Sequence, residues 1–359
     1  MTKYPPGKRK ATDVPITTRS NSKENPSSLL LRILLKGSPY YVSGSIIAEK
    51  LKMSRVGVWA RIAKLRKAGL TIEASQNRGY RIAAEPDIFN QHLMEAWLHE
   101  IKIKCKVFVS QRIDSTNSEA ERHLTNQAKT PFAVVSNEQH AGRGRLGRTW
   151  YSPKTGNINL TIAFRPKIRL IKLKIFTLWQ GIAIVELLRK KTGNNSISIK
   201  WPNDIYVKQK KLGGILLEMI GDPAGHCSVI VGVGLNVSMP ASQADAIDQD
   251  WTDVTAELES QQATGADPVL PARNQLAAAL ISEILPLLST FQTQGFAAYR
   301  DEWQAADAFY GQAAAISTPK QAIAGVVRGV DANGALRLEL DSGKIESFIG
   351  GELSLRLAE

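Results

Sequence analysis

The chain has 359 residues, of which 43% are hydrophobic and two are cysteines, and its net charge is +13. This length predicts two or three folded domains. No apolar run reaches the ~20 residues that span a bilayer, and the N-terminus has no apolar secretory segment, so we expect a cytoplasmic protein without a membrane partner.

Two cysteines, Cys105 and Cys227, lie far apart and have no neighbouring ligands at metal-binding spacing. This argues against a disulfide framework and against a metal ion held by the protein itself.

The positive charge is concentrated at the beginning of the chain. Residues 1–85 contain 17 Lys and Arg against 5 Asp and Glu, a net charge of +12, which leaves +1 for the rest of the chain. A focused positive field is typical of a module that binds nucleic acid, because cations that neutralise phosphates release bound counterions. The alternative is a basic tail that only aids solubility.

The first segment, residues 1–26, is rich in Pro, Ser, Thr, Asn and Lys and poor in large apolar residues. Such a segment buries too little apolar surface to offset the entropy lost on ordering. It is therefore predicted to be a disordered basic tail.

Residues 27–85 have the pattern of a winged helix-turn-helix. A helical apolar run ends at Gly37, two further helices begin at serine caps (Ser43 or Ser45, then Ser54), and the last residues alternate as a basic hairpin. The second helix of the pair and the hairpin carry the residues predicted to contact DNA: Ser54, Arg55, Arg61, Lys64 and Arg78. The alternative is a protein-binding helical module whose charges are its solvated face.

Residues 86–310 are predicted to be an α+β domain with a mixed sheet built largely from β-hairpins. One long helix is expected at about residues 174–191, a single strand over "IYVKQKKLGGILLEMI", an acidic surface excursion at 240–268 and helix over 273–310. Residues 311–359 alternate around "ANG" and "DSG" turns, which predicts a small SH3-like barrel.

The stretch "HAGRGRLGRTW" contains the spacing G-x-G-x-x-G of a dinucleotide-binding turn. That turn must open a helix and be followed by an acidic residue ~20 positions later. Here Pro153 and Gly156 block an early helix, and no Asp or Glu occurs between Thr149 and Val185. The sequence therefore argues against a nicotinamide dinucleotide site.

The same stretch presents Arg143, Arg145 and Arg148 between glycines. Guanidinium groups bind phosphate oxygens in pairs, and glycines let the backbone approach and enclose a ligand, so we expect a flexible anion-binding loop. Trp150 offers a flat face for an adenine. The alternative is a disordered nucleic-acid-binding tract of the Arg-Gly type.

Two further motifs carry candidate ligand groups. Lys200 ends a strand before a Pro-containing turn, and Gly213–Gly214 are predicted to interrupt the next strand and admit a ligand. Ser115, Thr116 and Asn117 open a helix with polar side chains. Taken alone, a lysine at a strand end is usually just solvated, and the alternative for the three polar residues is an ordinary helix cap.

Together and in this order, the motifs resemble those of the biotin protein ligases, and with the N-terminal module those of the bifunctional type that is also the biotin operon repressor. The resemblance covers nearly the whole chain from about Leu29 and is carried by "DSTN", "EQHAGRGRLGRTWYSP", "KWPNDIYV", "VGVGLNV" and "GGELSLR". Two positions depart from the family pattern, Leu146 in place of a further basic residue and His140 in place of a small polar residue or Gln.

The resemblance implies an ATP-dependent, AMP-forming ligase with a central sheet like that of the class II aminoacyl-tRNA synthetases. Biotin and MgATP would give biotinoyl-AMP, and a lysine of the biotin carboxyl carrier protein of acetyl-CoA carboxylase would then accept the biotin. It also implies operator DNA as a partner, biotin-responsive repression of biotin synthesis genes, and a homodimer when biotinoyl-AMP is bound. The alternatives are a non-catalytic biotin-sensing transcription factor and a lipoate-protein ligase.

The resemblance also implies residue roles. Lys200 and Arg145 would be catalytic. Biotin would be bound by Ser115, Thr116, Asn117, Gln139, Arg143, Gly144, Arg145 and Lys200. The nucleotide would be bound by Arg145, Arg148, Trp150 and Asn236.

Overall fold

The computed structural model describes residues 24–166, 173–221, 227–240, 247–262, 271–294, 296–317, 321–349 and 354–357. Most of the predicted disordered tail lies outside these residues. Its last residue, Pro26, is not part of a tail but begins the first helix, because Asn25 caps it by accepting a hydrogen bond from the Ser27 amide at 2.9 Å.

The N-terminal region has the predicted winged helix-turn-helix. Its elements are α1 (Pro26–Gly37), α2 (Gly44–Leu51), α3 (Arg55–Lys67), β1 (Thr71–Ser75) and β2 (Gly79–Ala84). Ser43, rather than Ser45, caps α2, and Ser54 caps α3 by accepting a hydrogen bond from the Gly57 amide at 3.1 Å. Strands β1 and β2 pair antiparallel as the wing.

The central region is built around a seven-stranded mixed sheet. Its strands are β3 (Lys106–Ile113), β4 (Phe132–Gln139), β5 (Asn157–Phe164), β6 (Ile197–Lys200), β7 (Asp204–Val207), β8 (Lys210–Gly221) and β9 (Cys227–Asn236). They lie in the order β3-β4-β5-β9-β8-β7-β6, in which only β3 and β4 run parallel. The predicted hairpin-built sheet is confirmed.

Among the described residues, six α-helices accompany this sheet: α4 (Gln91–Glu100), α5 (Thr116–Thr125), α6 (Leu173–Thr192), α7 (Val254–Gln262), α8 (Arg273–Gln294) and α9 (Arg300–Ala305). The large core lies between the sheet and α6 and α8, and a smaller apolar cluster lies under α5. Helix α5 packs against β4, β5 and β9, and its first residues contact Gln139 at the end of β4 and Thr161 of β5. None of the described helices is both long and apolar enough to cross a membrane.

Three predictions for this region were wrong in detail. The single strand predicted over "IYVKQKKLGGILLEMI" is the hairpin of β7 and β8, because Lys208 takes a left-handed turn conformation (φ 54°). Gly213 and Gly214 do not interrupt β8 but pair with Leu235 and Gly234 of β9. The stretch 240–268 includes a helix, α7, in its described part.

The C-terminal region is a five-stranded antiparallel sheet. Its strands are β10 (Ala313–Ser317), β11 (Ala322–Val330), β12 (Leu336–Glu339), β13 (Ile345–Phe348) and β14 (Ser354–Leu357), in the order β13-β12-β11-β10-β14. This small all-β unit is the one predicted from the alternating pattern and its turns.

Helix α4 joins the N-terminal and central regions. Leu93 and Ala96 are fully buried in the core of the winged helix-turn-helix, whereas Met94 and Leu98 are buried in the core of the central region. Polar contacts reinforce the junction, since Ser28 of α1 donates a hydrogen bond to Glu95 at 2.5 Å. The two regions therefore share one helix and are packed directly together.

Candidate active site

One cavity of about 440 Å³ lies at the polar ends of the central strands. Its wall contains every residue predicted to bind biotin or nucleotide: Ser115, Thr116, Asn117, Gln139, Arg143, Gly144, Arg145, Arg148, Trp150, Lys200 and Asn236. These residues come from separate parts of the chain and meet only because the sheet places the corresponding strand ends and loops side by side.

The start of α5 forms one wall of the cavity. Ser115 is its N-cap and accepts a hydrogen bond from the Asn117 amide at 3.2 Å. Thr161 of β5 donates to the Thr116 hydroxyl or to the Asn117 side-chain oxygen, at 2.8 and 2.6 Å. Because these side chains are buried and hydrogen-bonded to each other, their polar atoms are held in place before any ligand arrives.

Gln139 at the end of β4 links this wall to the neighbouring strand. Its side-chain oxygen accepts hydrogen bonds from the Thr116 amide at 2.7 Å and the Thr116 hydroxyl at 3.0 Å. Its side-chain nitrogen lies 3.3 Å from the Asn159 oxygen, which also accepts from the Trp150 indole at 3.1 Å. Asn159, which the sequence analysis missed, thus fixes both Gln139 and Trp150.

Glycines in β9 make the cavity floor. A Cβ at Gly234 would come within 2.6 Å of the Trp150 ring, and one at Gly232 within 2.5 Å of the Asn117 side-chain oxygen. The indole therefore packs against bare backbone at Gly234, and Trp150 lines the cavity. The sequence prediction of close ligand approach concerned Gly213–Gly214, whereas the glycines that admit neighbouring side chains here belong to the "VGVGLNV" segment.

The glycine–arginine loop is folded back on itself. The Trp150 amide donates to the Gly142 carbonyl at 2.9 Å and the Gly144 amide to the Arg148 carbonyl at 2.7 Å. Leu146 and Gly147 form its tip with left-handed backbone angles (φ 57° and 73°). The loop is thus a short hydrogen-bonded hairpin that presents its arginines to the cavity.

Arg143 is held by a residue that the sequence analysis missed. Its guanidinium donates to Glu218 of β8 at 3.1 Å and to the Ser118 hydroxyl at 2.9 Å. Glu218 also accepts a hydrogen bond from the side-chain nitrogen of Asn117 at 2.6 Å. One carboxylate therefore connects the loop, the sheet and the start of α5.

Arg145 points to the opposite side of the cavity. It donates to the Asn203 side-chain oxygen at 3.0 Å, and Asn203 is itself fixed by hydrogen bonds with the Ile215 backbone. Burial lowers the pKa of Arg145. Since an arginine remains charged in spite of such a shift, the site holds a partly desolvated positive charge.

Lys200 ends β6 and is half-buried beside two rings. Its ammonium group donates to the Tyr206 hydroxyl at 3.0 Å and lies 4.8 Å from the centre of the Tyr206 ring and 5.5 Å from that of Phe309. Burial is the main cause that lowers the pKa of Lys200. The nearby Asp204 raises this pKa, and three cations lower it further: Lys211, Arg148 and Arg356. An anion bound beside this ammonium group would stabilise its charged form and offset both the burial and the repulsion by the nearby cations.

The cavity wall as a whole is strongly positive. In the part of the chain that the structure describes, six cationic side chains line it against two carboxylates, Asp204 and Asp248. The cations are Arg143, Arg145, Arg148, Lys200, Lys211 and Arg356. Asp204 already pairs with Lys211 at 3.1 Å. Such a wall is built for a ligand that carries several negative charges.

Arg356 was not predicted, although it lies in the quoted "GGELSLR" motif. It belongs to β14 of the C-terminal sheet and lines the cavity with its neighbour Leu355. The folded C-terminal region thus contributes these two residues to the cavity wall. The sequence did not indicate this, because a single cation in a short strand is not a motif.

Asn236 lies at the cavity end of β9, as predicted, but its side chain is buried and donates to the Thr252 carbonyl at 3.1 Å. This hydrogen bond joins β9 to the segment before α7.

The predicted DNA-contacting residues fall into two groups. Arg55, Lys64 and Arg78 are exposed. Ser54 serves as the cap of α3, and Arg61 does not lie on the predicted outer face, since its guanidinium donates to Ser27 of α1 at 2.9 Å. Arg61 is turned inward because its position on α3 flanks the buried residues Val58, Ile62 and Leu65.

The described part of the chain contains no group of three or more His, Cys, Asp or Glu placed to hold a metal ion.

Comparisons with known proteins bear directly on this site. The model of the Biotin/lipoate A/B protein ligase family matches residues 109–236, which include most of the cavity wall. The models of an HTH domain and of the Biotin protein ligase C terminal domain match residues 27–81 and 311–356.

Three relatives illustrate the likeness. The bifunctional ligase/repressor BirA of Escherichia coli K12 is 33% identical over 337 residues, which cover 94% of this chain and 99% of that protein. The biotin–[acetyl-CoA-carboxylase] ligase of Paracoccus denitrificans is 32% identical and covers 67% of this chain and 99% of its own. A biotin protein ligase from Aquifex aeolicus, solved in complex with biotin and ATP, has a TM-score of 0.58 and 26% identity, covering 70% of this chain and 99% of its own.

Proposed function

This chain belongs to the family of bifunctional biotin protein ligases and repressors, and we propose that the cavity described above is where it activates and transfers biotin. The enzyme is a biotin ligase that uses ATP and biotin as substrates. The observation that carries the proposal for the site is the convergence of all eleven predicted ligand-binding residues on one cavity.

The chemical problem is the approach of two anions. The biotin carboxylate must attack the α-phosphate of ATP, forming a carboxyl–phosphate anhydride and releasing pyrophosphate. The negative groups repel each other, so a site that lowers the barrier must supply positive charge, fixed in advance, where charge develops in the transition state. The cationic wall of the cavity supplies that charge.

We propose that Lys200 and Arg145 are the two cations that act in this step. Both are partly desolvated, which strengthens their interaction with an anion, and each is oriented by a hydrogen bond, to Tyr206 and to Asn203 respectively. We assign Lys200 to the gap between the biotin carboxylate and the α-phosphate, and Arg145 to the phosphate side.

The remaining residues bind and enclose the substrates. The buried polar groups of Ser115, Thr116 and Asn117 suit the urea ring of biotin, since they offer hydrogen-bond donors and acceptors in fixed positions. The Trp150 face suits adenine, and closure of the loop around Arg143 shields the anhydride from water. Mg²⁺ would neutralise part of the triphosphate charge, and the wall carboxylate Asp204 would be an oxygen ligand for it.

In the second step, a lysine amine of the biotin carboxyl carrier protein attacks the anhydride, forms the amide and releases AMP. The winged helix-turn-helix supplies operator binding. We further propose that biotinoyl-AMP favours a homodimer with higher operator affinity, and that helix α4, shared by both cores, carries the change of state to the DNA-binding module.

The test is transfer of labelled biotin to a purified carrier domain in the presence of MgATP. Labelled carrier is the expected result. Label on the carrier only when lipoate replaces biotin would favour a lipoate ligase, the less supported alternative. Operator binding that responds to biotin without any labelled carrier would establish the non-catalytic sensor instead.

The contact between Glu218 and Arg143 leads to one prediction. Glu218→Gln keeps the shape of the side chain but removes the charge that holds the loop. We expect the KM for biotin to rise about tenfold, since a charge-assisted hydrogen bond contributes about 1.5–3 kcal/mol, with little change in Tm. The measurement is biotin-dependent exchange of pyrophosphate into ATP.

Glu119→Gln is a matched control for this variant. Glu119 pairs with Arg122 at 2.7 Å on α5 and does not line the cavity. Removing the Glu119 charge should therefore leave the KM for biotin unchanged. An equal KM in wild type and Glu218→Gln would show that the loop does not need this anchor.

The lowered pKa of Lys200 leads to a second prediction. The lysine acts only when charged, so activity should decrease as the pH rises through its pKa. We expect kcat/KM to fall at a lower pH than kcat, because kcat/KM reports the free enzyme and bound anions raise the pKa again. In Lys200→Arg the activity that remains should not decrease at high pH, because arginine stays charged. A decrease at the same pH in this variant would assign the titration to another group.

A further inference from the structure

The outer face of α3 is apolar. Val56 and Trp59 are 75% and 60% exposed, and Ala60 beside them is also exposed. Residues three and four positions apart share one face of a helix, so these three side chains form a continuous patch. We call Val56, Trp59 and Ala60 the α3 patch; it points away from the core residues of the same helix.

We propose that the α3 patch reads operator DNA through the C5-methyl groups of thymines in the major groove. The proposal rests on the repressor function described above and specifies what its recognition helix recognises. In a helix-turn-helix, the N-terminal residues of the second helix contact the base edges, and Val56 and Trp59 lie within the first two turns of α3.

The side-chain groups of the α3 patch indicate which group of the DNA they contact. Val56 and Ala60 have no polar side-chain atom, and Trp59 has one N–H donor and no acceptor. The patch therefore lacks the paired donor and acceptor groups with which Asn, Gln or Arg identify purines. The thymine methyl is the apolar group that the major groove displays, and apolar side chains recognise it by contact.

The surroundings of the α3 patch favour a polyanion over a protein partner. Arg55, Lys64 and Lys67 of the same helix are exposed. Of the four glutamates in residues 24–85, three are engaged elsewhere: Glu24 with Arg32, Glu73 with Arg81 and Glu85 with Trp97. An apolar patch bordered by cations matches methyl groups in a groove bordered by phosphates.

The experiment begins with selection of duplexes from a random DNA library by the full chain with biotin and MgATP. Each thymine of the enriched duplex is then replaced by deoxyuridine, which removes only the C5-methyl group. At one or two thymines per half-site we expect Kd to rise about fourfold, the equivalent of about 0.8 kcal/mol for one buried methyl group. Other thymines should be insensitive.

Two variants assign this effect to the α3 patch. We compare two duplexes that differ only at a thymine whose replacement weakens wild-type binding. Val56→Ala and Trp59→Ala should each bind the thymine and the deoxyuridine duplex with the same Kd. Both residues are exposed, so neither change should affect folding. Lys67→Ala is the control: loss of a phosphate contact should weaken binding to both duplexes by the same factor.

The outcomes separate this inference from the proposed function. If an enriched duplex shows no deoxyuridine effect, or if both variants keep the wild-type effect, methyl readout by the α3 patch is wrong while operator binding stands. If Trp59→Ala instead abolishes self-association without altering DNA affinity, the α3 patch is an interface between copies of this chain. If no duplex is enriched, the repressor function fails and this inference fails with it.

Discussion

Lys200→Met is expected to lower biotin-dependent pyrophosphate exchange by about 100-fold or more, the usual cost of removing one electrostatic stabiliser of a transition state. Methionine has a similar length and no charge, so the substitution tests the ammonium group rather than the packing. The half-buried position between Tyr206 and Phe309 also suits an apolar side chain. Folding should therefore be retained.

Two measurements make this prediction specific. Transfer of biotin from chemically made biotinoyl-AMP to the carrier should be reduced much less than adenylate formation, because the two anions are already joined. Tyr206→Phe is the matched control; it removes the hydroxyl that accepts the Lys200 hydrogen bond and keeps the ring, so we expect only a small decrease. Activity of Lys200→Met within a factor of a few of wild type would contradict the assigned role.

Removal of residues 1–85 is expected to abolish operator binding completely, because it removes helix α3, the wing of β1 and β2, and nearly all of the net positive charge. The same deletion also exposes Leu93 and Ala96, which are fully buried against the N-terminal core. Exposing a leucine alone costs about 1.5–3 kcal/mol. We therefore expect a lower Tm and aggregation, with ligase activity retained only in the folded fraction.

A second truncated variant separates loss of stability from loss of function. Leu93→Gln together with Ala96→Ser makes the newly exposed face of α4 polar, and this chain should recover near wild-type pyrophosphate exchange per molecule while still failing to bind the selected duplex. Duplex binding by either truncated chain would place the DNA site outside the winged helix-turn-helix. Absence of exchange in a folded, polar-faced variant would show that the N-terminal region takes part in catalysis.

The sequence predicted the elements whose causes are local. Ser54 caps α3 and Ser115 caps α5 through contacts two or three residues away, so a short window contains both partners. The loop motif and the "KWPND" turn were likewise recognised from neighbouring residues. One local feature was nevertheless missed, the left-handed Lys208 in the hairpin of β7 and β8, because a lysine gives no sign of that conformation in the sequence.

Composition and short-range spacing were enough to establish the order of modules, the location of positive charge and the identity of the motif residues. Tertiary structure alone decided that Glu218 anchors Arg143, that Arg356 enters the cavity, that Arg61 turns toward α1 and that α4 belongs to two cores. Each of these depends on contacts between residues far apart in the chain, and the energy of such a contact exists only once the fold has brought both partners together.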